Sequence, residues 1–122
     1  VFDPIRSRII HFASQGEQAF WTLAGAKTAI TFSGAQAAQG PQQSWFYCPD
    51  RDSYLGFNPD TSTVLECTPS FAVTTYAVSG TGPTKGTVTA DAYNKWQIDT
   101  NLGIVMCINS WSSQNLHVFR YK

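Results

Sequence analysis

The chain has 122 residues, 43% of them hydrophobic, which suits one domain, residues 1–122, with a real core. Eight basic and eight acidic residues cancel, so no net field draws nucleic acid or an anionic membrane surface. No apolar run approaches the ~20 residues of a membrane span, which leaves an unremarkable globular chain with an unusually uncharged surface. Charged residues make up 13% of it, against about 25% in an average globular protein. Its polar surface must come from Ser, Thr, Gln, Asn and Gly, as in many exported β-proteins. The start at Val1 reads as a mature form whose signal peptide has been removed.

Turn residues recur at short spacing from Gly16 to Gly103, and short apolar segments between regular breakers predict an all-β domain. The first candidate strands are Arg8 to Ala13 and Ala19 to Leu23, flanking Ser14-Gln15-Gly16-Glu17. Asp3-Pro4 can also start a helix with Ile5, Ile9 and Phe12 on one face, but the β-branched pair Ile9-Ile10 favours a strand. Thr28 to Phe32 alternates. Trp45 to Cys48, Tyr54 to Phe57 and Thr63 to Cys67 follow, then the long β-branched run Phe71 to Val78. Thr87 to Thr89, Lys95 to Ile98, Ile104 to Ile108 and the strictly alternating Asn115 to Tyr121 complete the set. A single helical turn fits Asp91 to Asn94. Phe12, Phe20, Phe32, Phe71 and Phe119 fall on inward positions. The expected fold is an antiparallel β-sandwich or barrel of short strands, with room for one short helix.

Three cysteines allow one bridge and one leftover thiol, chosen in three ways. Cys107 lies in the apolar run Ile104 to Ile108 and suits a buried, reduced position. Cys48 and Cys67 flank turn-rich sequence, so the expected disulfide is Cys48–Cys67; three free buried thiols are the alternative. A bridge would place the protein outside the reducing cytosol.

Ser7-Arg8-Ile9-Ile10-His11, Gly16 and Phe20-Trp21, followed by Trp45-x-x-Cys48-Pro49, Tyr54-x-x-Phe57 and Cys67, resemble small secreted fungal cell-wall proteins of the phialide type, also described as IgE-binding allergens. The matching residues end at Cys67, and Phe71 to Met106 adds nothing. The resemblance implies a β-sandwich-like fold, export and a place at or near the cell wall. It implies no catalytic residues.

No nucleophile elbow, phosphate loop or dinucleotide fingerprint occurs. Asp50, Asp52, Asn58 and Asp60 offer oxygen atoms, but these residues are ordinary turn formers, and the cysteines lack zinc spacing. Neither a metal nor a cofactor is expected. Binding is better supported. Aromatic residues make up 14% of the chain, and several lie beside turns among amides and hydroxyls. Trp111 stands in the polar run Asn109 to Asn115 with Gln114 nearby; Tyr93 and Trp96 flank Asn94 and Lys95; Trp45 follows Gln42-Gln43-Ser44. A tryptophan in such a loop can stack on a sugar ring while amides bond its hydroxyls.

The expected function is that of a secreted, non-enzymatic surface or cell-wall protein. It would bind a glycan or cell-wall polysaccharide in lectin-like fashion through Trp111, Asn109, Gln114, Trp96, Tyr93 and Trp45. The first alternative is a small secreted hydrolase, such as a ribonuclease, using His11 and His117 as acid and base. The second is a structural or effector protein with a protein partner.

Overall fold

A computed structural model describes residues 1–12, 18–34, 45–58, 63–77, 96–108 and 116–121. The predicted strand Thr87 to Thr89 and the turn Asp91 to Asn94 lie outside these residues. The described residues form an all-β fold of three sheets.

The first sheet comprises β1 (Phe2–Asp3), β2 (Arg8–His11), β3 (Ala19–Thr22) and β4 (Lys27–Ala29), each antiparallel to the next. The helix that Asp3-Pro4 could have started does not form; a turn over residues 4–7 joins β1 to β2 instead, with Ser7 in the left-handed region. In β2, Arg8 and Ile10 are buried while Ile9 and His11 are exposed. This is the period-two pattern of a sheet with one covered face.

The second sheet is the central one. It runs in the order β5 (Ser33–Gly34), β9 (Ala72–Ala77), β8 (Thr63–Cys67), β7 (Ser53–Asn58), β6 (Trp45–Cys48). Its pairs are antiparallel except β5 with β9, which is parallel. Gly34 makes that pairing possible, because a Cβ there would fall 2.4 Å from the Val73 carbonyl oxygen. A 3₁₀ turn, Pro49–Arg51, links β6 to β7 and closes on Asp52 in the left-handed region. The third sheet is an antiparallel meander of β10 (Trp96–Asp99), β11 (Ile104–Ile108) and β12 (Leu116–Arg120). Asp99 sets its first turn, with Oδ1 accepting from the amides of Asn101 and Leu102 at 3.0 Å each.

Register gives the central sheet two different faces. Tyr47, Tyr54, Cys67 and Val73 form one row across β6, β7, β8 and β9. This face meets the first sheet in a core of Ile10, Ile30, Phe32, Tyr54, Cys67 and Val73, with Phe12, Phe20, Trp45, Tyr47 and Phe71 packed around it. Phe46, Leu55, Glu66 and Thr74 form a row of the opposite face, and Phe57, Val64 and Tyr76 form the next. That face meets the third sheet, where the Phe57 and Phe119 rings lie 5.7 Å apart. All five phenylalanines expected to point inward are buried or half-buried.

The Cys48–Cys67 disulfide is not formed; both thiols are free and buried. Cys48 pairs with Ser53 and Cys67 with Tyr54. Ser53 and Tyr54 are adjacent, so the two cysteines project from opposite faces with β7 between them. Two strand spacings separate β6 from β8, roughly 9.5 Å, and a disulfide needs Cα atoms within about 7 Å. The turn-rich sequence after Cys48 builds the β6–β7 connection rather than a stapled loop. Burial pushes the Cys67 thiol up to about 12, which keeps it protonated and unreactive. Cys107 lies in β11, as its apolar run predicts, opposite His117.

A buried polar cluster ties the first sheet to the central one. The Asp3 side chain is fully buried. It accepts from the Arg6 amide at 3.1 Å, from Arg8 Nε at 3.0 Å, and from the Tyr54 hydroxyl. Arg8 Nη2 also donates to the Tyr54 hydroxyl at 2.9 Å and to the Pro69 carbonyl at 2.8 Å. The Arg8 guanidinium lies 5.0 and 4.9 Å from the ring centres of Phe20 and Phe71.

Replacing Asp3 with Asn leaves Arg8 buried without its counter-charge. Urea unfolding should show a loss of about 3 kcal/mol or more, the usual cost of breaking a buried pair on one side. A non-reducing peptide map should contain no Cys48–Cys67 cross-link; finding one would overturn the β6–β7–β8 register.

Candidate functional site

A cleft of about 510 Å³ opens between the second face of the central sheet and the strand β12. Its size falls within the range of small-molecule sites. Phe46, Leu55, Val64 and Tyr76 supply the wall on the central sheet; Val105, Phe119 and Tyr121 supply the other. These positions follow from strand alternation. Phe46 and Leu55 share one row, Val64 and Tyr76 the next, and β12 edges its own sheet, so residues 118–121 border the opening.

A charged group lies in this apolar cleft. Glu66 is buried in β8, and Arg51 grips it with both prongs of its guanidinium, Nε to Oε1 at 2.7 Å and Nη2 to Oε2 at 2.8 Å. Ser53 donates to Oε1 at 2.8 Å and the Tyr76 hydroxyl to Oε2 at 2.9 Å. The carboxylate is thus saturated by four donors. The Arg51 bond holds Glu66 below the ordinary glutamate range despite its burial. Arg51 also donates to the Tyr121 carbonyl at 3.3 Å, and the Tyr121 hydroxyl donates to Asp50 at 2.9 Å. This joins the 3₁₀ turn to the end of the third sheet.

Arg120 also lines the cleft. Unlike that of Arg51, its side chain makes no hydrogen bond or ion pair with another described residue. A second ionic group sits outside the cleft, where Arg6 grips Asp52 with Nη1 at 2.8 Å from Oδ1. The Tyr47 hydroxyl donates to the same oxygen at 2.8 Å. Arg6 holds Asp52 down at about 2, but the partners are half-exposed and the pair serves to fix the β6–β7 turn.

Of the residues expected to bind glycan, Trp45 has a described side chain, and it does not line this cleft. Trp45 belongs to the opposite face. Its ring stacks on Phe12, centres 4.3 Å apart and 10° from parallel, and lies over Gly56, where a Cβ would fall 2.8 Å from the indole. Both faces of the indole are occupied, so the half-buried Trp45 packs against the core, and the amides before it carried no information about its side chain. Trp96 is placed in its backbone, paired with Cys107. Ile108 and Leu116, which bracket residues 109–115, pair with each other one position along. The third sheet therefore brings Trp96 to the end where that segment joins. Tyr93, Asn109, Trp111 and Gln114 lie outside the described residues.

His11 and His117 do not come together. His11 is on the outer, exposed face of the first sheet beside Trp21. His117 is in β12, with the central sheet between the two. An acid–base pair across two strand layers cannot share a substrate, which removes the geometric basis of the ribonuclease alternative. His117 Nε2 is buried without a hydrogen-bond partner among the described residues. No group of three or more His, Cys, Asp and Glu side chains among the described residues is arranged to hold a metal; Asp50 and Asp52 are instead engaged by Tyr121 and by Arg6 with Tyr47.

The sequence carried one overlooked signal for the cleft. Glu66 interrupts the apolar run Val64-Leu65-Glu66-Cys67, and a carboxylate in a core strand needs a partner. The partner, Arg51, lies in a turn whose position only folding decides. No family model matches the chain, and comparisons with curated proteins and with solved structures yield no match either.

Glu66 contributes stability that is fully present above its unfolded-state value near 4.5. That stability is lost as pH falls through its lower folded value. The urea midpoint should therefore drop on going from pH 6 to pH 3, and Glu66→Gln should make the fall shallower while lowering the midpoint at pH 7. An unchanged slope would show that Arg51 does not hold Glu66 in solution.

Proposed function

We propose that this protein is a non-enzymatic, glycan-binding domain, and that its saccharide lies in the cleft between the central sheet and β12. The observation that carries the reading is the composition of that cleft. Aromatic rings from both sides, Phe46 and Tyr76 opposite Phe119 and Tyr121, border a fully hydrogen-bonded Arg51–Glu66 pair. Sugar rings have apolar C–H faces and polar edges, so a site for them pairs flat aromatic surfaces with fixed polar groups. Tyr76 is 45% exposed, and its hydroxyl is anchored on Glu66, so its ring is held in position at the cleft. Four donors on Glu66 leave it poorly suited to act as a general base and well suited to rigidify the wall. The low charge of the chain and its resemblance to fungal cell-wall proteins extend the proposal to an exported protein acting at a polysaccharide surface. That extension no longer draws on a disulfide.

A protein partner is the second reading, and one observation favours it. Phe2, Ile9 and Trp21 form a continuous row on the outer face of the first sheet, with Phe2 and Ile9 both about half-exposed. Such a row is the usual mark of an interaction surface when it extends into a larger patch.

A glycan array, with pull-downs on insoluble chitin and β-glucan, tests the first reading. Selective retention is expected, and Tyr76→Ala should weaken it about tenfold, the scale of one lost aromatic contact, at a melting temperature lowered by the loss of one donor to buried Glu66, with both proteins compared well below their melting temperatures. Absence of binding, or equal binding by the variant, would overturn the cleft as a glycan site and turn attention to the outer row.

A further inference from the structure

The charges of the cleft do not cancel. Arg51 and Glu66 neutralise each other through two short hydrogen bonds. Arg120 lines the same cleft and has no acidic partner among the described residues. Asp50 accepts from the Tyr121 hydroxyl and does not line the cleft. The excess is local, because the chain as a whole is formally neutral. Among the described lining residues the balance is two guanidinium groups against one carboxylate.

We infer that the saccharide of this cleft is acidic, carrying a carboxylate that Arg120 binds; this rests on the glycan reading above. A guanidinium presents two parallel N–H donors that match a carboxylate's two oxygens, and the paired bonds are stronger than neutral ones. Apolar and aromatic neighbours, Val118 and Phe119 on the same strand and Tyr121 just beyond it, lower the local dielectric and raise the value of that match. Arg51 cannot serve in this way, because its Nε and Nη2 are already bound to Glu66. Strand alternation gives Arg120 its position. In β12, Leu116, Val118 and Arg120 are exposed while His117 and Phe119 are half-buried, so the side chain has room to turn toward a ligand without leaving a core contact.

The test is an array carrying neutral oligosaccharides beside their uronate counterparts of identical linkage, probed with the full chain and with Arg120→Gln. The full chain should prefer the uronate forms by at least tenfold at low salt, and the preference should shrink as sodium chloride is added. Arg120→Gln should lose the preference, keep its affinity for neutral forms and melt at the same temperature. Equal binding of neutral and acidic forms would overturn the inference while leaving the glycan reading intact. A preference that survives in Arg120→Gln would also overturn it, by moving the anion elsewhere. No binding to either form would overturn both.

Discussion

The buried carboxylate of Asp3 is the constraint on which the arrangement of the sheets depends. A charge removed from water is tolerable only when its lone pairs are all engaged, and the partners of Asp3 come from separate parts of the chain. The Arg6 amide belongs to the turn after β1, Arg8 to β2, and the Tyr54 hydroxyl to the central sheet. Arg8 then reaches on to Pro69, beyond β8. These requirements are met together only when the first sheet sits on the central one in a single register. Apolar contacts such as Ile10, Phe32 and Val73 supply most of the burial, but they tolerate sliding. The polar cluster does not, since a shift of one residue would leave buried donors and acceptors unpaired.

Register within the central sheet does comparable work. Neighbouring residues on β7 send Ser53 and Tyr54 to opposite faces, and with them Cys48 and Cys67. One face becomes a closed aromatic core in which the Trp45 ring lies flat over Gly56 beneath Phe12. The other carries Glu66 into the cleft beside Tyr76. The same alternation that hides Trp45 therefore exposes Tyr76. An aromatic residue's neighbours in sequence say little about which outcome it meets, because successive residues face different environments.

The cleft combines a rigid polar wall with a cation at its border, Arg120, that pairs with no acidic side chain among the described residues. The Glu66 cluster is closed upon itself; Arg51 is fixed by the carboxylate and by the Tyr121 carbonyl. Rigidity of this kind favours recognition over chemistry, since a saturated carboxylate has little capacity to accept a further proton. Arg120 supplies the adaptable element, and its exposure on an edge strand leaves it able to meet a ligand from solvent.

Several features were legible in the chain alone. The strands Trp45–Cys48, Thr63–Cys67 and Ile104–Ile108 have the bounds their β-branched and aromatic runs predict, because pleating and apolar burial are local requirements written in consecutive residues. The inward phenylalanines follow from the same alternation. Pairings distant in sequence were not legible. The separation of Cys48 from Cys67, the distance between His11 and His117, the burial of Trp45 and the meeting of Arg51 with Glu66 are set by which strands adjoin and in what register. Asp3-Pro4 shows the boundary clearly: its local chemistry suits a helix start, yet a carboxylate that finds Arg8 on the neighbouring strand and Tyr54 across the sheet interface gains more than a helix cap offers. Local sequence determined the strands and their patterning. The tertiary structure decided the charge pairs and the cleft, because both depend on which strands and turns adjoin: Arg51 meets Glu66 from another strand connection, Arg6 meets Asp52 from another sheet, and the cleft forms between two sheets.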